Sequence, residues 1–242
     1  MVRLSTLSLN PTSHKLPNNS QSPLRPYLRI LSLPLAPQVR LTRVTKDVTK
    51  CSDKTQFWLA SLPYRCLEYL NTKLSSEGLY RIPGSLMAVR RWQLRFDHEI
   101  DIDLFGETAL YDPNEIASLL KKWLSALPGD LVPKGLQAEV CAEVLGHREV
   151  PVQGTGHLGA YVPLAVKNML SRLPPYNYYL LFAITNHLHC VLLHQKENKM
   201  TLENLRICVG PCLRLEKWLF DCLVGGGPQC WQGCGTEGEY LR

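Results

Sequence analysis

DPNEIASLLKKWLSALPG, residues 112–129, reads as a helix with a marked start and a marked stop. Asp112 can accept hydrogen bonds from the free amides of the first turn, and Pro113 at the first helical position has no amide to leave unpaired. Glu115 follows the cap by three residues, the spacing of a capping box. Ile116, Leu119, Leu120, Trp123, Leu124 and Leu127 recur every three or four residues, so one face is apolar from end to end. Pro128 and Gly129 end it.

The same period continues on both sides. FWLASLPYRCLEYLNTKL, from residue 57, sets Leu59, Leu62, Cys66, Leu67, Leu70 and Leu74 at helical spacing, with Pro63 best placed in the first turn. A second helix is expected from Ser85, a candidate cap, with Met87, Val89, Trp92, Leu94 and Phe96 free to pack. Further helices are expected over 134–145, 161–173 and 177–194, over LENLRICVGPCL as far as Gly210-Pro211, and over LEKWLFDCLV. Residues 146–160 read as a glycine-rich loop, and the last stretch, GGGPQCWQGCGTEGEYLR, as mostly irregular. No strand pair and no internal repeat stands out. The expectation is an all-α domain of about seven to nine helices over residues 56–242.

Residues 1–55 differ. They are rich in Ser, Thr, Pro, Asn and Leu with scattered Arg and Lys, and the first acid is Asp47. This composition fits a basic, disordered segment. A mitochondrial transit peptide has a similar composition, but the prolines count against its amphipathic helix. The net charge of +6 over 242 residues suits an acidic partner, a phosphate-bearing ligand or an anionic membrane, and is too small to indicate nucleic acid. Nine cysteines without an even framework point to a reducing compartment. The longest apolar run, Tyr178 to Leu193, is broken by Asn186, His187 and His189 and is shorter than a membrane span.

Cys208/Cys212 and Cys230/Cys234 have metal-ligand spacing, but the first pair lies in an apolar helix, and packed cysteines are the better reading. His187, His189 and His194 read as packed or surface residues in the same way. There is no HExxH, GxSxG or phosphate-cradling loop, so neither a metal site nor a nucleotide site of its own is expected. GLYRIPGS, residues 78–85, holds one arginine among small and apolar residues. A guanidinium stays charged at any pH and offers a rigid fork of donors suited to phosphate oxygens. Gly78 and Gly84 permit the tight backbone that would hold Arg81 out.

GLYRIPGS, then DPNEIASLLKKWLSALPGDLVP, then LPPYNYYLLFAITNHL, then NKMTLENLRICVGPCL, taken in this order, resemble the GTPase-activating domain of the RhoGAP family over roughly residues 57–220. The resemblance implies an all-helical domain that inserts an arginine into the active site of a Rho-type GTPase in its GTP-bound state. Arg81 matches that arginine finger, on a loop closed by Gly84. Lys121 matches the family lysine that contacts the GTPase, and Asn204 the asparagine that helps hold it. GTP and magnesium belong to the partner, so the chain is expected to be an activator and not itself a hydrolase. The expected location is the cytoplasm, with the basic segment free to meet the membrane periphery. The chain also departs from the family pattern. Ser125 stands where the family has an arginine that supports the interface and the finger loop, and Ala126 replaces a glutamate. Pro83 stiffens the loop. The lead-in before Leu62 and residues 146–160 match poorly. These departures keep a second reading open, a RhoGAP-like module that binds a GTPase without activating it.

Overall fold

Three tryptophans, Trp58, Trp92 and Trp123, each 1% exposed, mark where the helices of this chain bury their apolar faces. The structure is a computed structural model that describes residues 29–146 and 162–241. Among these residues there are twelve α-helices and no strand. They are α1 (Leu35–Thr42), α2 (Thr55–Trp58), α3 (Ser61–Leu70), α4 (Leu86–Glu99), α5 (Pro113–Ala126), α6 (Lys134–Gly146), α7 (Leu164–Ser171), α8 (Pro175–Leu193), α9 (Gln195–Asn198), α10 (Leu202–Leu213), α11 (Lys217–Gly226) and α12 (Glu237–Tyr240). Three of these are single turns of four residues, so nine have eight residues or more. The all-α reading holds. No helix among the described residues is long and apolar enough to cross a membrane.

Two helices organise the packing. α8 is buried on most of its surface and touches α1, α2, α3 and α11. α5 touches α3, α4 and α10. Its start follows the sequence signals: Asp112 accepts from the Asn114 amide at 2.8 Å, with Pro113 first in the helix. The expected capping box is not closed among the described residues: Asp112 caps the Asn114 amide, and the Glu115 side chain turns to α4. Its carboxylate accepts from Trp92 Nε1 at 3.2 Å, which ties α5 to α4. Ser85 caps α4 as expected, accepting from the Ala88 amide at 3.4 Å.

The expected helix over 57–74 divides into α2 and α3, because Leu59 and Ala60 are extended. The break lets Thr42 Oγ1 accept from the Ser61 amide at 3.1 Å, and Pro63 falls in the first turn of α3. α10 runs through Gly210 and Pro211 to Leu213 instead of stopping there. Pro211 is exposed, so its ring meets water and not a packed neighbour.

The basic segment needs correcting over residues 29–55, which do not form a loose tail. α1 docks on α8, with Val39 fully buried. Gln38, 1% exposed, accepts from Trp123 Nε1 at 2.9 Å and donates to the carbonyls of Leu31 and Leu33. One buried valine, one satisfied glutamine and the buried Thr42 hold this helix, a signal too sparse for composition to reveal. Residues 1–28 and the glycine-rich stretch from 147 to 161 lie outside the described residues. The C-terminal stretch packs as a strap: Trp231 meets Tyr178 and Phe182 edge-on at 5.1 and 5.4 Å. Glu237 accepts from Lys54 (2.7 Å), Trp58 (3.1 Å) and Tyr179 (2.9 Å), which ties the C-terminal stretch to α2 and α8.

Candidate functional site

The loop 78–85 leaves the α3 side of the domain and enters α4, and it is held at three points. At its entry the Gly78 amide donates to the Asn198 carbonyl at 2.8 Å. Gly78 has φ +68°, and a Cβ there would lie 2.6 Å from Ile82 Cδ1, so the position requires glycine. The Gly78 carbonyl accepts from the Arg81 and Ile82 amides at 2.8 and 2.9 Å, which closes a tight turn. In the middle, the Lys121 ammonium donates to the Tyr80 carbonyl at 2.6 Å. At the exit, the Gly84 amide donates to Ser118 Oγ at 3.0 Å. A Cβ on Gly84 would sit 2.5 Å from the Glu115 backbone, so only a glycine lets the loop lie this close to the start of α5.

These clamps leave the Arg81 side chain exposed, with no ion-pair partner among the described residues. Arg65, Arg95 and Arg206 behave differently, each bound to a carboxylate at 2.7–2.9 Å. A clamped loop thus carries an arginine whose donors are not committed among the described residues. The backbone beneath it is unusual: Tyr80 has φ +72° and is 1% exposed. A bulky residue in the left-handed region is uncommon and costs about 1–3 kcal/mol.

The other residues singled out in the sequence lie on α5, which holds the loop, and on α10, which packs against α5. Lys121 is half-buried, with its charge on the loop carbonyl just before Arg81. Ser125, one turn further along α5, is exposed, and its hydroxyl bonds back to the Lys121 carbonyl at 3.0 Å. The charge near Ser125 comes from elsewhere: Arg214 donates to the carbonyls of Ser125 (3.0 Å) and Leu127 (2.7 Å) and pairs with Asp130 at 3.3 Å. Asn204, in the first turn of α10, is half-buried and donates through its side chain to the Lys199 carbonyl at 3.1 Å. α10 packs against α5, which brings the Lys121 and Asn204 helices together.

Asn198 was not singled out, yet it joins these parts. It is fully buried, and its amide donates to Leu74 (2.7 Å) and Val191 (2.8 Å) while its oxygen accepts from the Met200 amide (2.8 Å). The same residue's backbone carbonyl receives the Gly78 amide, so one residue, through its side chain and its carbonyl, links the loop entry to the turn before α10. The signal available was the NKM of NKMTLENL, read from the residues only as a polar turn. His187 is buried behind the loop: its Nδ1 lies 2.7 Å from Asn71 Oδ1, and its ring meets Tyr80 edge-on at 5.7 Å. Burial pushes its pKa down to about 3 and pushes the Tyr80 hydroxyl well above the usual tyrosine range. His189 and His194 contact the backbone carbonyls of Val224 and Cys190. Cys208 and Cys212 lie on α10, Cys230 Sγ contacts the Cys222 carbonyl, and Cys234 Sγ that of Leu173.

Comparison with known proteins agrees with this arrangement. A family model described as the RhoGAP domain matches residues 61–217. The probable Rho-type GTPase-activating protein 2 of Schizosaccharomyces pombe is 31% identical over 175 residues, covering 70% of this chain and 13% of that protein. Rho GTPase-activating protein 35 of Rattus norvegicus is 32% identical over 151 residues, covering 62% of this chain and 9% of that protein. The chain thus spans only about a tenth of the length of these relatives. Among solved structures, human Rho GTPase activating protein 15 has the same fold, with a TM-score of 0.54 at 20% identity over 74% of this chain and 81% of that one. The BH domain from GRAF, the GTPase regulator associated with focal adhesion kinase, aligns with a TM-score of 0.50 at 26% identity, over 68% and 87%. The chain belongs to the RhoGAP family.

Proposed function

Starting from membership of the RhoGAP family, we propose that this chain activates a Rho-type small GTPase in its GTP-bound state, supplying Arg81 in trans. The observation that carries the reading is an exposed guanidinium, unpaired among the described residues, on a loop clamped by Asn198, Lys121 and Ser118. During attack by water, negative charge develops on the phosphoryl oxygens and the leaving oxygen. A fixed guanidinium stabilises that charge more in the transition state than in the ground state, and so raises the rate and not only the affinity. Rigidity matters because a donor already in place needs no reorganisation at the moment of reaction. For Ras-type GTPases an arginine supplied by the activator is worth about 10³–10⁵ in rate, or roughly 4–7 kcal/mol. In this reading the partner holds GTP, magnesium and water, while Lys121 and Asn204 flank the finger.

The test is single-turnover GTP hydrolysis by Rho, Rac and related GTPases, with and without the protein. Acceleration by the wild type that disappears in Arg81→Ala, with binding retained, supports the reading. Unchanged acceleration by Arg81→Ala removes Arg81 from the mechanism. Ser125 favours the second reading, a module that binds without activating: its hydroxyl is turned back onto α5 and offers a partner no charge. Ser125→Arg should then raise affinity or rate. No change in either would show that Arg214, bonded to the carbonyls of Ser125 and Leu127, already compensates.

A further inference from the structure

The left-handed backbone at Tyr80 is held by Lys121 on its carbonyl, but something must also hold the side chain. Behind the loop, two buried polar atoms of one packed group lack a hydrogen-bond partner among the described residues: Tyr80 Oη and His187 Nε2. Their rings meet edge to face at 5.7 Å. Asn71 Oδ1 can only accept, so the 2.7 Å contact places the hydrogen on His187 Nδ1. That leaves Nε2 an acceptor without a donor, on a ring packed against that of a tyrosine whose hydroxyl is a donor without an acceptor. Leaving both unmade in a buried site is costly, and the two needs are complementary.

We propose that His187 is a positioning residue for Arg81: oriented by Asn71, it accepts the Tyr80 hydroxyl at Nε2 through one internal water, and so holds the left-handed Tyr80 backbone that presents the finger. The role rests on the arginine-finger reading above. Tyr80 is then gripped at both ends, by Lys121 on its carbonyl and His187 on its hydroxyl. Release of either grip lets the strained residue relax and swing Arg81, its immediate neighbour. Burial keeps His187 neutral across the physiological range, so the acceptor is always present.

The test titrates wild type, Tyr80→Phe, His187→Leu and the double variant to saturation in single-turnover GTP hydrolysis. This separates the maximal rate from the half-saturating concentration. Tyr80→Phe should lower the maximal rate roughly two- to tenfold, the value of one buried hydrogen bond, with half-saturation unchanged. The double variant should lose no more than the larger single loss, the mark of one shared interaction. His187→Gln should recover part of the His187→Leu loss, because its amide oxygen can accept. In parallel, the ¹⁵N resonance of His187 Nε2 should move on Tyr80→Phe, a readout independent of any GTPase. An accelerating wild type with an unchanged maximal rate in Tyr80→Phe, or an unmoved Nε2 resonance, overturns the positioning role alone. A wild type that accelerates no GTPase overturns the finger reading, and the positioning role with it.

Discussion

Gly84→Ala adds one methyl group where Glu115 Cα and N lie 2.5 Å away and Asn114 O lies 2.6 Å away. All three are backbone atoms at the start of α5, so none can swing aside. Ordinary contact begins near 3.4 Å, so the loop must retreat from α5 by about 0.9 Å, the difference between 3.4 and 2.5 Å. That retreat stretches the 3.0 Å bond from the Gly84 amide to Ser118 Oγ beyond hydrogen-bond range. A displacement near 1 Å in a group that must meet a transition state costs on the order of 10² in rate. Overpacking adds a stability loss of roughly 1–3 kcal/mol, or about 2–12 °C in Tm for a chain of this size. Two assays read the two consequences: single-turnover GTP hydrolysis at saturating protein, and thermal unfolding followed by circular dichroism. Gly129→Ala is the control, since no atom lies within 4 Å of its added Cβ. If Gly84→Ala melts and accelerates hydrolysis like Gly129→Ala, the close approach to α5 does not position the finger.

Asn198→Ala leaves the Leu74 and Val191 carbonyls and the Met200 amide without their partner and should cost about 3 kcal/mol in chemical denaturation; a loss under about 1 kcal/mol would contradict its linking role. Lys121→Met keeps the aliphatic packing but removes the bond to the Tyr80 carbonyl, worth roughly 1.5–3 kcal/mol as a charged hydrogen bond, and should lower the maximal rate tenfold or more; an effect on half-saturation alone would assign Lys121 to partner contact instead. His187 gives a pH dependence with a definite sign. Its folded pKa of about 3 lies below the ordinary 6.5, so between these values the unfolded chain binds a proton that the folded chain does not. Stability should therefore fall as pH drops from about 6.5 toward 3, and His187→Gln should lack that component; equal slopes in pH-dependent urea melts would count against a buried neutral imidazole. Glu237 has the carboxylate sign. Burial raises its pKa, but the Lys54, Trp58 and Tyr179 donors outweigh burial and hold it below 4.5. Its contribution is full above about pH 4.5 and lost as pH falls through the lowered value, so the wild type and Glu237→Gln should converge in acid.

Helix α5 was legible because its determinants are local: a cap, a proline at the first position and an apolar stripe, all within fifteen residues. α4 was legible in its Ser85 cap and in Val89, Trp92 and Phe96, but Met87 and Leu94, expected to pack, are 77% and 53% exposed because the face they share meets no neighbouring helix among the described residues. The break between α2 and α3 was not, because it depends on Thr42 reaching the Ser61 amide from another element. α1 was missed because Val39 and Gln38 become core residues only once α8 and Trp123 stand beside them. The C-terminal stretch read as irregular because its order comes from Trp231 and Glu237 meeting α8 and α2, far away in sequence.

By itself the sequence determined the helical class, both ends of α5, the start of α4 and the glycine-bounded loop that carries Arg81. These follow from propensity, capping and periodicity, which act over a few residues. Only the tertiary structure decided how that loop is held. It set Lys121 on the Tyr80 carbonyl, Asn198 on the Gly78 amide and α5 against Gly84, and it buried His187 behind Tyr80. Each of these contacts joins residues more than 25 positions apart. A side chain's direction at such distances is set by which helices pack together, and no local pattern encodes that.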